Sequence, residues 1–277
     1  MNKKRKSAVE KIILYFLLSV IGLVTLFPFI WMISSSLKTE TEMFVFPIQW
    51  IPEVFHWENY EKAWKMTSFP LALFNSLKVS VIITLGQVLT SAMAGYAFAK
   101  IKFRGRNKVF IGYLATMMVP FQVVMIPQFI LFRKIGLINN HLALILPGIF
   151  TVFGVFMLKQ FFMGIPDEIL EAARIDGCSE AGIMFRVVIP LSKAALSSLA
   201  IFTFRWQWND YLAPLIYLND KELFTIPLAL STFRMENLTL YTLIMAGSVI
   251  SLIPVILVFL FTQKYLIQGI AMTGLKG

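Results

Sequence analysis

The chain has 277 residues, of which 58% are apolar and only 14% are charged, against about 45–50% and about 25% in soluble domains. The apolar excess is gathered into uncharged runs of 26 residues after Lys11, 21 after Lys78, 24 after Lys108, 24 after Lys134 and 27 after Glu236. A helix needs about 20 mainly apolar residues to cross the hydrocarbon of a bilayer, so the pattern excludes a soluble enzyme, a nucleic-acid-binding domain and a disordered tail, and predicts an all-α polytopic membrane protein whose net charge of +10 sits in its loops.

In chain order, a basic segment with Lys3, Lys4, Arg5, Lys6 and Lys11 precedes a first span over about 12–33. A basic start and an apolar run also mark secretory signals. However, this run exceeds a signal's apolar core of about 7–15 residues and no small-x-small cleavage site follows, so it reads as an uncleaved span. The loop 34–75 carries Trp50, Trp57, Tyr60 and Trp64, as an interfacial aromatic belt does; a docking surface for an external partner is the alternative. Spans are then expected over about 76–99, 109–131, 142–162, 194–217 and 241–263, the fifth interrupted by Arg205 and Asp210.

Six spans put both ends on one side. The N-terminal segment, the loop with Lys100, Lys102, Arg104, Arg106 and Lys108, the loop with Lys159, Arg174, Arg186 and Lys193, and the end with Lys264 and Lys276 together hold sixteen basic residues, against seven in the loops of the other side. The positive-inside rule then puts both termini in the cytoplasm.

A single cysteine, Cys178, permits no intrachain disulfide, and His56 and His141 stand apart with no cysteine or paired carboxylate at ligand spacing, so neither metal nor cofactor is expected. No G-x-x-x-x-G-K-[ST] loop is present: Gly269 and Gly274 have the glycine spacing, but Leu275 precedes Lys276 and no helix follows to hold phosphate. The chain is therefore not expected to hydrolyse ATP. G-x-S-x-G and H-E-x-x-H are missing too, and no two glycines stand four apart for GxxxG packing.

The most distinctive stretch runs from Ile165 to Pro190. Asp167 is suited to cap a helix, with Glu168 and Glu171 favourable in its first turn. Ile169, Leu170, Ala173 and Ala172 supply an apolar side, and Gly177 stands where a left-handed C-terminal cap belongs. Ser179 starts a second short helix with Ile183, Phe185 and Val187, and Pro190 marks the start of the fifth span. Two short helices joined at a glycine form a surface shaped to fill a groove in a partner.

Glu171-Ala172-Ala173, Gly177 six residues after the glutamate, and Val187-x-Ile189-Pro190 resemble the E-A-A-x-x-x-G…I-x-L-P loop of ABC importer permeases. Val187 and Ile189 replace the usual isoleucine and leucine, Cys178 a common alanine, and Ala194 a frequent proline. Gly95-Tyr96-Ala97-Phe98-Ala99, Trp208-Asn209-Asp210-Tyr211, Pro214-Leu215-Ile216 and the ending Gln263-Lys264-Tyr265…Lys276-Gly277 extend the likeness to the maltose-type carbohydrate permeases, in particular the MalG-like subunit. The resemblance implies the type I ABC importer permease fold: an N-terminal segment, first span and outer loop over 1–70, a transmembrane domain over 71–265 with a coupling loop at 163–190, and a cytoplasmic tail over 266–277 that reaches between the ATPase subunits. It implies that Glu171, Ala172, Ala173, Asp176, Gly177 and Pro190 couple the chain to two cytoplasmic ATPase subunits. A second homologous permease subunit and an extracytoplasmic sugar-binding protein complete the assembly.

Arg205-Trp206-Gln207-Trp208-Asn209-Asp210-Tyr211 lies inside the fifth span, where a charged residue costs about 2.5–3.5 kcal/mol and must face protein or water. At 100° per residue Arg205 and Asn209 share a face flanked by Trp206 and Trp208, with Gln207 and Tyr211 opposite. Arg205, Trp208, Asn209 and Asp210 are the candidate sugar path, since hydroxyls need hydrogen bonds and sugar CH faces stack on indoles; pairing of Arg205 and Asp210 with the partner subunit is the alternative. The expected function is a non-enzymatic permease subunit moving a sugar or oligosaccharide by alternating access, powered by separate ATPases. A secondary transporter of a small polar solute is the runner-up, disfavoured by the lack of internal repeats.

Overall fold

The computed structural model describes residues 2–66, 68–234 and 239–274, apart from the side chains of 2–9, 262 and 264–274. In chain order the helices are α1 (Asn2–Ser36), α2 (Glu58–Met66), α3 (Phe69–Lys100), α4 (Arg106–Ala115) and α5 (Phe121–Lys134). Next come α6 (Leu142–Gly148), α7 (Val152–Met163), α8 (Asp167–Ile175), α9 (Glu180–Ile183) and α10 (Ile189–Leu191). The last are α11 (Lys193–Trp208), α12 (Leu212–Tyr217), α13 (Ile226–Ser231) and α14 (Tyr241–Gly274). The backbone of α14 thus continues into the expected tail, whose last residues, Leu275, Lys276 and Gly277, lie outside the described residues.

Among the described residues four stretches are long and apolar enough to cross a membrane: Glu10–Ser36, Phe69–Lys100, Leu142–Met163 and Tyr241–Phe261. Two bent pairs bring the total to six if each counts as one span. The expected third span is one of them. Its two halves, α4 and α5, meet at 93°, because Pro120 has no amide hydrogen to give and holds Val119 extended at φ −85°, ψ 111°. The expected span over 194–217 is also not one helix: α11 stops at Trp208 and α12 begins at Leu212. The second bend, of 81°, instead joins Glu180–Leu191 to α11.

The chain folds as two compact units, one of residues 1–69 and 230–252, the other of 70–229 and 253–277. In the first, α1 is exposed from Glu10 to Ile30 except at Gly22 and is apolar on every side from Ile12 onward, the surface of a helix built for lipid or a partner subunit. The loop after it folds onto its end: Trp50 packs edge-on against Phe27 and Trp31 at 5.0 and 5.6 Å. Lys38 is fully buried, its ammonium 4.7 Å from the Trp31 ring and bonded to the Gln49 carbonyl. Glu40 accepts from the Tyr241 and Thr242 amides at 3.1 and 2.9 Å, so a carboxylate satisfies orphan amides at the positive end of α14.

In the second unit α3 packs against α6 and α7 through small residues. A methyl group at Gly86 would lie 2.5 Å from Ile149 Cγ2, and one at Gly154 2.4 Å from Ser91 Oγ. The close approach is made across helices, so the lack of glycines four apart does not forbid it. Between α6 and α7 the chain opens at 149–151, with Thr151 extended at φ −145°, ψ 130°. The freed carbonyls are taken by α3: Gln87 Nε2 donates to Gly148 O at 2.8 Å and Thr90 Oγ1 to Ile149 O at 2.6 Å. A helix broken inside a bilayer needs such partners, because no water is there to supply them.

Candidate functional site

The loop between α7 and α11 sits at the end of α3 marked by Lys100. Pro166 takes the position before α8, so Asp167, the expected cap, is instead its first helical residue. Its carboxylate accepts from Lys100 Nζ at 2.6 Å, and Lys100 also donates to the Ile165 carbonyl at 2.6 Å. That ammonium holds the Asp167 carboxyl below the usual carboxylate range.

At 100° per residue α8 has two faces. Asp167, Leu170, Ala173 and Arg174 turn toward the bundle, where Leu170 is buried and Ala173 packs on the core. Glu168, Glu171, Ala172 and Ile175 turn outward and are exposed, Ile175 to 87%. The expected apolar side is corrected accordingly: Ile169 and Ala172 are exposed. Ile175, an apolar knob on an acidic face, is the residue that sequence reasoning passed over; the helical projection from Glu171 and Ala172 carries its signal.

The helix ends as the glycine predicts. Gly177 has φ +79°, Cys178 N donates to Ala173 O at 3.0 Å and Gly177 N to Arg174 O at 3.0 Å, the double bond of a Schellman cap. Nothing lies within 4 Å of a Cβ built on Gly177, so its need is for backbone handedness and not for close packing within this chain. Asp176 is exposed beside it.

Ser179 caps α9, its hydroxyl accepting from the Gly182 amide at 3.2 Å. The next turn, Met184–Val188, is a π-helix. Ile183, Met184 and Val188 are buried, Phe185 is exposed and Val187 half-buried; a turn wider than 3.6 residues brings Ile183 and Val188, five residues apart, to one side. Pro190, exposed in α10, has no amide hydrogen to close the tighter ladder. Glu180 closes the elbow between the two short helices. It accepts from Arg174 Nε at 2.8 Å and from the Tyr96 hydroxyl of α3 at 2.6 Å. Arg174 and then Tyr96 hold its carboxyl below the usual range, and Glu180 in turn raises the Arg174 guanidinium.

The second candidate region is divided by the end of α11. Arg205 and Asn209 share an exposed surface, joined by an Asn209 Nδ2 bond to the Arg205 carbonyl at 2.8 Å. Trp206 is 75% exposed, whereas Trp208 is buried and stacks on Phe204 at 5.5 Å. The expected pair of flanking indoles is therefore one exposed and one packed inside. Asp210 accepts from the Ala213 amide at 3.4 Å, at the start of α12, so the helical projection does not extend to it or to Tyr211.

Residues 87–272 match the family described as binding-protein-dependent transport system inner membrane components. The chain belongs to that family. The permease is 37% identical over 273 residues to the arabinooligosaccharides transport system permease protein AraQ of Bacillus subtilis, covering 98% of this chain and 97% of that one. It is 32% identical over 258 residues to the lactose transport system permease protein LacG of Rhizobium radiobacter, covering 93% and 94%. A solved bacterial ABC transporter involved in the import of the acidic polysaccharide alginate has the same fold, with a TM-score of 0.81 at 24% identity over 95% of this chain and 98% of that one. The permease is thus a multi-pass, non-enzymatic transport component of an ABC importer, and the secondary-transporter alternative falls away.

Proposed function

We propose that the permease pairs with a second homologous permease subunit to form the path of a sugar or oligosaccharide importer. Two cytoplasmic ATPase subunits drive it, and an extracytoplasmic sugar-binding protein supplies it. The excess of basic residues in one set of loops supports cytoplasmic termini. The relatives that transport arabino-oligosaccharides and lactose support a substrate rich in hydroxyls. The observation that carries the reading is the outward face of α8, with Glu168, Glu171, Ala172 and Ile175 exposed on a helix whose other face is fixed to the bundle. Such a face, closed by Gly177 and continued by Asp176, is suited to a groove on an ATPase, with Ala173 and Pro190 shaping the loop behind it. Arg205, Asn209 and the break at Asp210 are assigned to the sugar path, with Trp208 buttressing it from within.

The test is uptake in proteoliposomes holding the permease pair, the ATPase and the binding protein. Labelled arabino-oligosaccharide should enter only with ATP, at a rate indifferent to an imposed proton gradient. Uptake that follows the gradient without ATP would sink the proposal.

A further inference from the structure

Both ends of the loop are bends. One is Gly164–Pro166, where α7 has stopped and α8 has not begun; the other is at Ser192, where the chain turns by 81° into α11. A displacement of α8 is therefore absorbed at these joints unless something else carries it. Among the described residues, the side-chain hydrogen bonds from this loop to a transmembrane helix all go to α3: Tyr96 to Glu180, and Lys100 to Asp167 and to the Ile165 carbonyl, each at 2.6 Å. All three are charge-assisted, the stronger kind, and Tyr96 sits in the same buried cluster as Leu170, Ile183 and Val188. About 14 Å further along α3, Gln87 and Thr90 hold the carbonyls at the α6–α7 break, and Thr203 of α11 donates to Gln87 Oε1 at 2.6 Å.

We propose that α3 is the helix the loop drives: Tyr96 and Lys100 are positioning residues that pass a displacement of α8 and α9 into α3, and Gln87 with Thr90 passes it to the α6–α7 break and to α11. The inference rests on the docking of an ATPase at the loop and adds the route inward. It makes the first turn of α9 a junction, because Glu180 is bonded at once to α8 and to α3.

Tyr96→Phe tests it, since the ring stays in the core and only the hydroxyl is lost. In the assembled complex the ATPase should copurify at the wild-type level and hydrolyse ATP, while sugar taken up per ATP falls about tenfold, as expected for one hydrogen bond to a charged group. Lys100→Met should show the same split. Glu180→Ala should fall at least as far as Tyr96→Phe, and the double variant no further than the worse single one. Wild-type uptake per ATP in Tyr96→Phe, or losses that multiply in the double variant, would overturn the route. So would loss of the ATPase from the Tyr96→Phe complex, which would make the residue part of docking. A wild-type permease with which no ATPase copurifies refutes docking itself, before any variant is read.

Discussion

The side-chain amide of Gln87 donates to the carbonyl of Gly148 at 2.8 Å, across 61 residues of sequence. The same side chain accepts from Thr203 at 2.6 Å, so one residue of α3 serves α6 and α11 together. Gln87→Leu keeps the bulk and leaves both partners unsatisfied. In a membrane interior such bonds contribute about 0.6–2 kcal/mol each, so Gln87→Leu should cost about 1–3 kcal/mol. Thr203→Val should cost less, and the double variant less than their sum. Melting of the purified permease measures all three, and strict additivity would refute the shared network.

Long apolar runs made the spans legible, and Gly177 and Ser179 made the ends of the two short helices legible, because caps are local chemistry. The breaks were not. Pro120 and Pro147 both stand in apolar runs, but the first ends a helix while the second lies inside α6. What lets the chain open at 149–151 is a pair of side chains on α3, which no local pattern reveals. The π turn at Met184–Val188 was not legible either; it puts Ile183 and Val188, five residues apart, among the buried residues. The end of α11 at Trp208 undid a projection that assumed a continuous helix.

Gly86 faces Ile149 so closely that an added Cβ would lie 2.5 Å from Cγ2 and 2.9 Å from Cβ. The second atom is not the tip of a flexible chain, so the backbones must part. Gly86→Ala should lower stability by about 1–3 kcal/mol, the range for overpacking. Gly112→Ala, in open space inside the helix α4, should instead raise stability by about 0.5–1 kcal/mol, the helix preference of alanine over glycine. Equal melting temperatures for the two variants would contradict the close α3–α6 approach.

At Gly177 the space is open and the backbone is left-handed. Any L side chain there costs about 1–2 kcal/mol, and asparagine less than alanine or leucine because it tolerates this region. Gly177→Leu should reach the membrane at wild-type levels with its uptake collapsed, and Gly177→Asn should retain more uptake than Gly177→Ala. Normal ATP-driven uptake by Gly177→Leu would remove the cap from the coupling machinery.

Asp167 and Glu180 both have carboxyls held below their ordinary range by Lys100 and Arg174. A depressed folded-state value means stabilisation that is fully present above the unfolded value, about 4, and lost as the pH falls through the folded one. The loop should therefore keep its amide protection from pH 7 down to about 4 and lose it only below that. Hydrogen exchange of 165–183 across this range is the measurement. Loss of protection between pH 6 and 5 would mean that other groups hold the loop.

The surface at the end of α11 separates two roles that the sequence had joined. Trp208 is packed on Phe204, so Trp208→Ala should cost about 3–5 kcal/mol, the range for deleting a buried aromatic, and should appear first as lost yield. Trp206 and Asn209 are exposed on the side of Arg205, and truncating them removes no buried packing. Trp206→Ala and Asn209→Ala should assemble and melt as the wild type does, yet shift the apparent transport affinity or the preference among oligosaccharides. Transport assays with two sugars of different length, run beside a pull-down of the partner permease, distinguish the outcomes. If either variant loses the partner while the remaining complex keeps its sugar preference, the exposed surface is a subunit interface and the sugar path lies elsewhere.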